Sequence, residues 1–216
     1  MSVMPVEQSA LSRQRAHEPR PVAGVVLAAG SSSRMGRNKL LFDVGGEPLV
    51  RRTVRAALAA GLDPILVVLG HEADAIRAAL TSLPCRFVTN ARFTEGMNSS
   101  VCAGIAALPA EVGAAVVLLA DMPFIVTEMI ATIMAQYRSG DASLILSEYE
   151  GVIAPPTLVD RSLFAELASE AGKGCGRRLR RRHPELASTV SWPATALADL
   201  DVPEDYERVK ARLATT

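Results

Sequence analysis

The chain has 216 residues, a length that suits one domain with at most a short extension. Lys plus Arg and Asp plus Glu both number 23, so the formal net charge is zero and nothing in the bulk charge points to nucleic acid or an anionic membrane. Apolar residues make up 49%, enough to bury a sizeable core, yet no apolar run reaches the roughly 18–20 residues of a membrane span. The three cysteines, Cys85, Cys102 and Cys175, form no Cys-x-x-Cys pair, and the three histidines are scattered. A disulfide framework and a zinc site are therefore not expected, and a cytoplasmic location is.

Residues 1–20 are polar and charged and lack the apolar core of a secretory signal. They are expected to form a disordered tail ahead of a domain spanning 21–216. From residue 21 onward strand and helix signals alternate. The apolar run 22–28 reads as a strand buried on both faces, and 49–60 has helical spacing that ends at Gly61. Strands are expected over 64–69, 85–89, 114–119 and 142–146, with helices over 72–80, 98–108 and 126–137. Residues 151–158, with Pro155-Pro156, read as a loop with an extended exit. Helices are expected over 161–168 and 204–213, with the basic run 177–183 between them. This order implies βαβ units, a mostly parallel sheet and helices on both faces. Ligands of such sheets bind at the carboxyl ends of the strands.

After the first strand comes Ala29-Gly30-Ser31-Ser32-Ser33-Arg34-Met35-Gly36-Arg37-Asn38-Lys39. Gly30 and Gly36 permit close backbone approach, the serines add donors, and Arg34 and Lys39 supply charge for a triphosphate. The spacing is not that of a P-loop, and the dinucleotide fingerprint Gly-x-Gly-x-x-Gly is absent. An ordinary Gly-Ser turn with surface cations is the plainer alternative. After the strand 114–119 comes Asp121, positioned to ligate magnesium facing a triphosphate; capping of the next helix is its alternative. The segment from Asn90 through Gly96, Met97 and Asn98 to Ser100 offers amides to an anion or a base edge, or simple N-caps. The carboxylates Asp199 and Asp201 precede the last helix and can reach one metal from an extended segment. Glu204 and Asp205 suit its dipole.

Taken together, LAAGSSSRMGRNKLL, GMNSSV, ADMP and DLDVPEDY resemble the MobA-like nucleotidyltransferases, and among them the molybdenum cofactor cytidylyltransferases. The resemblance implies a three-layer α/β/α, Rossmann-like fold of the nucleotide-diphospho-sugar transferase type. It implies that Leu27, Ala28, Ala29 and Gly30 contact base and ribose. Arg34 and Lys39 would hold phosphates, Ser31 and Gly36 would also bind the nucleotide, and Arg34, Lys39 and Asp121 would be catalytic. Asn90, Gly96, Met97 and Ser100 would border the nucleotide, and Asp121 with Asp201 would bind Mg2+. The implied reaction joins CMP from CTP to molybdenum-bound molybdopterin with release of pyrophosphate, and the product passes to a molybdoenzyme client. The chain departs from the family pattern in the acceptor half. Ala154-Pro155-Pro156 stands where a Gly-His/Asn-Pro turn is common, and Lys173 where Asp is usual. The open alternatives are a sibling transferase with GTP or another phosphorylated acceptor, a redox enzyme on the same scaffold, and a non-catalytic insertion factor.

Overall fold

The computed structural model describes residues 20–30, 38–169, 174–198 and 203–213. Its strands are β1 (Val22–Ala28), β2 (Ile65–Leu69), β3 (Arg86–Thr89), β4 (Ala114–Leu119), β5 (Leu144–Tyr149), β6 (Val152–Asp160) and β7 (Ala187–Trp192). Its helices are α1 (Leu49–Ala59), α2 (Ala73–Ala79), α3 (Met97–Ala106), α4 (Thr127–Arg138), α5 (Phe164–Ser169), α6 (Cys175–Arg182) and α7 (Pro203–Leu213). The strands form one sheet in the order β3-β2-β1-β4-β6-β5-β7. Only β6 runs against its neighbours; the other pairings are parallel.

Every residue of β1, from Val22 to Ala28, is buried, because each face of the strand meets a helical layer. Val22, Val26 and Ala28 join one core with Val50 and Val54 of α1, Ile76 of α2 and Ile130 and Ile133 of α4. Ala23, Val25 and Leu27 join a second core with Val101 and Ile105 of α3, Phe164 and Leu167 of α5 and Leu179 of α6. The period of two along the strand thus sorts its side chains into the two cores of an α/β/α sandwich. Full burial of a side chain such as Ile130 contributes about 1.5–3 kcal/mol. This is the three-layer fold that the sequence implies, and the strands and helices expected up to residue 146 are present with ends shifted by a few residues.

Two segments differ from expectation. Residues 152–160, expected to begin as a loop, form the nine-residue β6. The prolines are accommodated by a break in the ladder. Leu146 pairs with Thr157 and the next residue, Ser147, with Ala154, so Pro155 and Pro156 are passed over. Ser147 donates to the Pro156 carbonyl (2.7 Å) and Tyr149 to the Pro155 carbonyl (2.8 Å), which satisfies the groups the break leaves out of the ladder. Burial pushes the Tyr149 phenol well above its ordinary pKa. The second difference is β7, a strand not expected from the sequence. Its residues Ala-Ser-Thr-Val-Ser-Trp carry no apolar run because it is a half-exposed edge strand.

Candidate active site

Strand order reverses between β1 and β4: β2 and β3 lie on one side, β6, β5 and β7 on the other. The chain leaving these two strands must diverge, and a crevice opens at their carboxyl ends. A pocket of about 280 Å3 lies there. Leu27, Ala29 and Gly30 line it from β1, Leu119 and Asp121 from β4, and Phe93, Met97 and Ser100 from the segment after β3. Lys39 and Leu40 complete the wall. Most of these groups are apolar, with a cation and a carboxylate at one place, as expected of a small-molecule site.

Lys39 begins a short helical turn, Lys39–Leu41, that is fixed at its start by the Asn38 side chain, whose Oδ1 accepts from the Leu40 amide at 3.1 Å. Asp121 follows β4, whose continuation is held to β1 by the bond from the Ala120 amide to the Leu27 carbonyl (3.1 Å). Asp121 does not cap α4, which starts at Thr127 after Val126 with no side-chain cap. Its Oδ2 instead meets Lys39 Nζ at 2.8 Å, with side-chain exposures of 24% and 12%. A pair so shielded is screened less than an open surface ion pair, whose worth is roughly 0–1 kcal/mol.

The segment after β3 is built by a buried asparagine. Asn90 Nδ2 donates to Ser99 Oγ (2.9 Å) and Ser100 Oγ (3.0 Å), while its Oδ1 accepts from the Arg92 amide (2.9 Å). Asn90 therefore ties the loop to the first turn of α3 from behind the pocket and is not part of its lining. Gly96 immediately precedes α3 with φ of 108°, a backbone that other residues rarely adopt, and it too lies off the lining. Met97 and Ser100 do face the pocket, and Met97 is 46% exposed. The Ala28 side chain belongs to the core on the other face of β1. Of the other expected site residues, Ser31, Arg34, Gly36 and Asp201 lie outside the described residues, as do Asp199 and Lys173.

Three lining residues were not singled out from the sequence: Leu40, Phe93 and Leu119. Behind Phe93 stands Gly70, at the end of β2. A Cβ on Gly70 would fall 2.7 Å from the Ala29 carbonyl oxygen and 2.7 Å from Phe93 Cγ. The glycine is what lets the two walls of the pocket close on each other. A glycine after an apolar strand is the only sequence signal, and it is a weak one.

Among the described residues no group of three or more His, Cys, Asp or Glu side chains gathers in a way that could hold a metal ion. Asp121 nevertheless offers a partly exposed hard oxygen donor on the pocket wall, and magnesium needs only one or two protein carboxylates beside phosphate oxygens and water. The region after Asp121 and the turn after Lys39 are clamped by α7. Tyr206 donates to the Asp43 carbonyl (2.8 Å) and packs edge-on against Phe42, while Arg212 lies over the Phe124 ring at 4.1 Å.

The basic run forms α6. Its Leu179 is buried, Arg180 faces Glu148 (3.7 Å), and Arg182 and His183 both engage Glu166. Arg177 and Arg181 are exposed. This is a helix face with part of its charge answered by neighbouring glutamates. No helix among the described residues is long and apolar enough to cross a membrane.

Strand order and pocket together define an α/β protein of the nucleotide-binding, Rossmann-like class. The chain belongs to the MobA-like NTP transferase domain family, whose pattern matches residues 24–187. It is 29% identical over 198 residues to the nicotine blue oxidoreductase of Paenarthrobacter nicotinovorans, covering 87% of this chain and 96% of that one. It is 36% identical over 134 residues to the bifunctional protein GlmU of Anaeromyxobacter sp. (strain Fw109-5), 59% of this chain but only 27% of that relative's length. Among solved structures, Rv0371c from Mycobacterium tuberculosis H37Rv superimposes with a TM-score of 0.78 at 25% identity, over 89% of this chain and 98% of that one. A manganese complex of Rv0371c superimposes at 0.71 with 23% identity, over 89% of this chain and 98% of that one.

Proposed function

We propose that the chain is a cytoplasmic, Mg2+-dependent nucleotidyltransferase that moves CMP from CTP to the terminal phosphate of a molybdopterin-type acceptor. The observation that carries this reading is the cation and carboxylate, Lys39 and Asp121, meeting on the wall of an otherwise apolar pocket at the switch point of the sheet. An acceptor phosphate oxygen attacks the α-phosphorus of CTP, the new P–O bond forms, and the bond to the β-phosphate breaks, so that pyrophosphate leaves. No protein nucleophile is needed; positioning and neutralisation of developing charge do the work. Lys39, with Arg34 and Gly36 of the loop, takes the phosphates. Leu27, Ala29 and Leu119 flank the base and ribose with Met97 and Ser100 opposite. Asn90 and Gly96 contribute by shaping that opposite wall. Asp121, with Asp201 ahead of the clamped α7, would hold the Mg2+, which when bound supplies a Lewis acid for the phosphoryl oxygens. The product then passes to a molybdoenzyme client.

The test is pyrophosphate release with each of the four NTPs against a panel of phosphorylated acceptors in magnesium. CTP with the pterin acceptor is expected to give the highest kcat/KM, and Asp121→Ala to lower kcat on the order of 10²–10³-fold. A second reading, favoured by the full-length relative named as an oxidoreductase, makes the chain a redox enzyme on this scaffold. It requires a dinucleotide or other redox group and is selected if no NTP yields pyrophosphate while nicotinamide cofactor turns over.

A further inference from the structure

Resting on the nucleotidyltransferase reading, we propose that Tyr206 of α7 is a positioning residue for Lys39. It touches no substrate; it acts by fixing the turn that carries the lysine. Asp121 stands just beyond the last residue of β4, so the sheet places it. Lys39 lies well past the end of β1 at Ala28, so its position depends on what holds the chain on its far side.

The Lys39 turn is closed by the Leu41 amide on the Asn38 carbonyl (3.1 Å) and the Phe42 amide on the Lys39 carbonyl (3.2 Å). The Leu49 amide, at the start of α1, then meets the Phe42 carbonyl at 3.0 Å. Tyr206 grips the residues that follow the turn through one polar and one apolar contact. Its hydroxyl donates to the Asp43 carbonyl at 2.8 Å, and its ring stands edge-on to Phe42 with centroids 5.2 Å apart. The helix that brings it there is itself anchored. Tyr206, Val209 and Arg212 recur every third residue and share one face of α7. Val209 is buried with Val44 and Leu49 in a small cluster of their own. Arg212 lies over Phe124 at 4.1 Å, and Arg52 of α1 donates through Nε to the Pro123 carbonyl at 3.1 Å. One helix face thus spans the chain after Lys39 and the chain after Asp121, and holds the first in place relative to the second. Where catalysis rests on placement and not on a nucleophile, a shift of about 1 Å in a charged group can cost on the order of 10²-fold. The loss falls on kcat because the lysine must meet charge that develops in the transition state.

The experiment uses the full chain with Tyr206→Phe, which removes the hydroxyl and keeps the ring. Amide hydrogen exchange, followed by NMR without nucleotide, is expected to quicken on the order of tenfold at Leu41 and Phe42. It should stay at the parent's rate at Ile125, whose amide bonds to the Met122 carbonyl beyond Asp121. Pyrophosphate release from γ-labelled CTP is expected to lose on the order of tenfold in kcat, with KM for CTP within about twofold of the parent's. In a Lys39→Met background the same substitution should change kcat by less than about twofold, since the group it positions is gone. An equal loss in both backgrounds, or faster exchange spread evenly over all amides, marks a contact that serves stability alone and overturns the proposal. Unchanged exchange at Leu41 and Phe42, or an unchanged kcat, overturns it too. If the parent releases pyrophosphate from no NTP, the nucleotidyltransferase reading fails instead, and the exchange rates still decide whether Tyr206 fixes the Lys39 turn.

Discussion

Gly70→Ala adds one carbon at the place where the two walls of the pocket touch. The new Cβ would stand 2.7 Å from the Ala29 carbonyl oxygen and 2.7 and 2.8 Å from Cγ and Cβ of Phe93. Neither neighbour can yield cheaply. The Ala29 carbonyl is backbone at the end of a central strand, and it accepts a long bond from the His71 amide at 3.5 Å. The Phe93 atoms in question are the root of the side chain and not its flexible end. Overpacking of this kind costs typically about 1–3 kcal/mol. For a chain of this size each kcal/mol lowers Tm by roughly 2–4 °C, so a fall of about 2–12 °C is expected in thermal unfolding. Because Ala29 and Phe93 both line the pocket, the same displacement should weaken CTP binding on the order of tenfold, read by calorimetric titration. In a Phe93→Ala background, which lacks Cγ, Gly70→Ala should cost less Tm than in the parent, though the contacts with the Phe93 Cβ and the Ala29 carbonyl remain. An unchanged Tm together with unchanged CTP affinity would refute the reasoning and would mean that β2 and the segment after β3 part freely at this point.

Ala29→Gly removes a Cβ from the pocket wall and should raise the kcat/KM of GTP relative to CTP without inverting the preference, since one methyl group discriminates by roughly 1–3 kcal/mol; an unchanged ratio in a folded variant removes Ala29 from base selection. The Glu166 carboxyl is held below its ordinary pKa of 4.5, first by the hydrogen bond from Arg182 and then by that from His183. Its stabilisation is therefore present in full above 4.5 and lost as pH falls through the lower folded value. The Tm of Glu166→Gln should accordingly lie below the parent's at neutral pH and converge on it in acid, and a gap that stays constant would exclude the pair as its source. Removal of residues 1–20 is expected to leave turnover intact; a folded, soluble but inactive truncation would contradict this.

How far the sequence reveals the fold depends on how local the cause is. β1 and β4 declare themselves because burial on both faces demands an unbroken apolar run, and the carboxyl-end rule then points to Gly30 and Asp121 without knowledge of any contact. β7 stays hidden because an edge strand needs no such run, and β6 because its Pro155-Pro156 reads as a strand breaker until pairing with β5 on either side of it is seen. The site follows the same division. Lys39 and Asp121 are each recognisable by type and position. Asn90 is recognisable as a polar residue after a strand, but its work as the bracket for Ser99 and Ser100 appears only when α3 is in place. Gly70 carries no side-chain signal at all, yet the distance between Ala29 and Phe93 depends on it. Read singly, Lys39 and Asp121 suggest separate roles; that they come from separate elements to meet at 2.8 Å on one pocket wall appears only when the turn after Asn38 is packed against the end of β4.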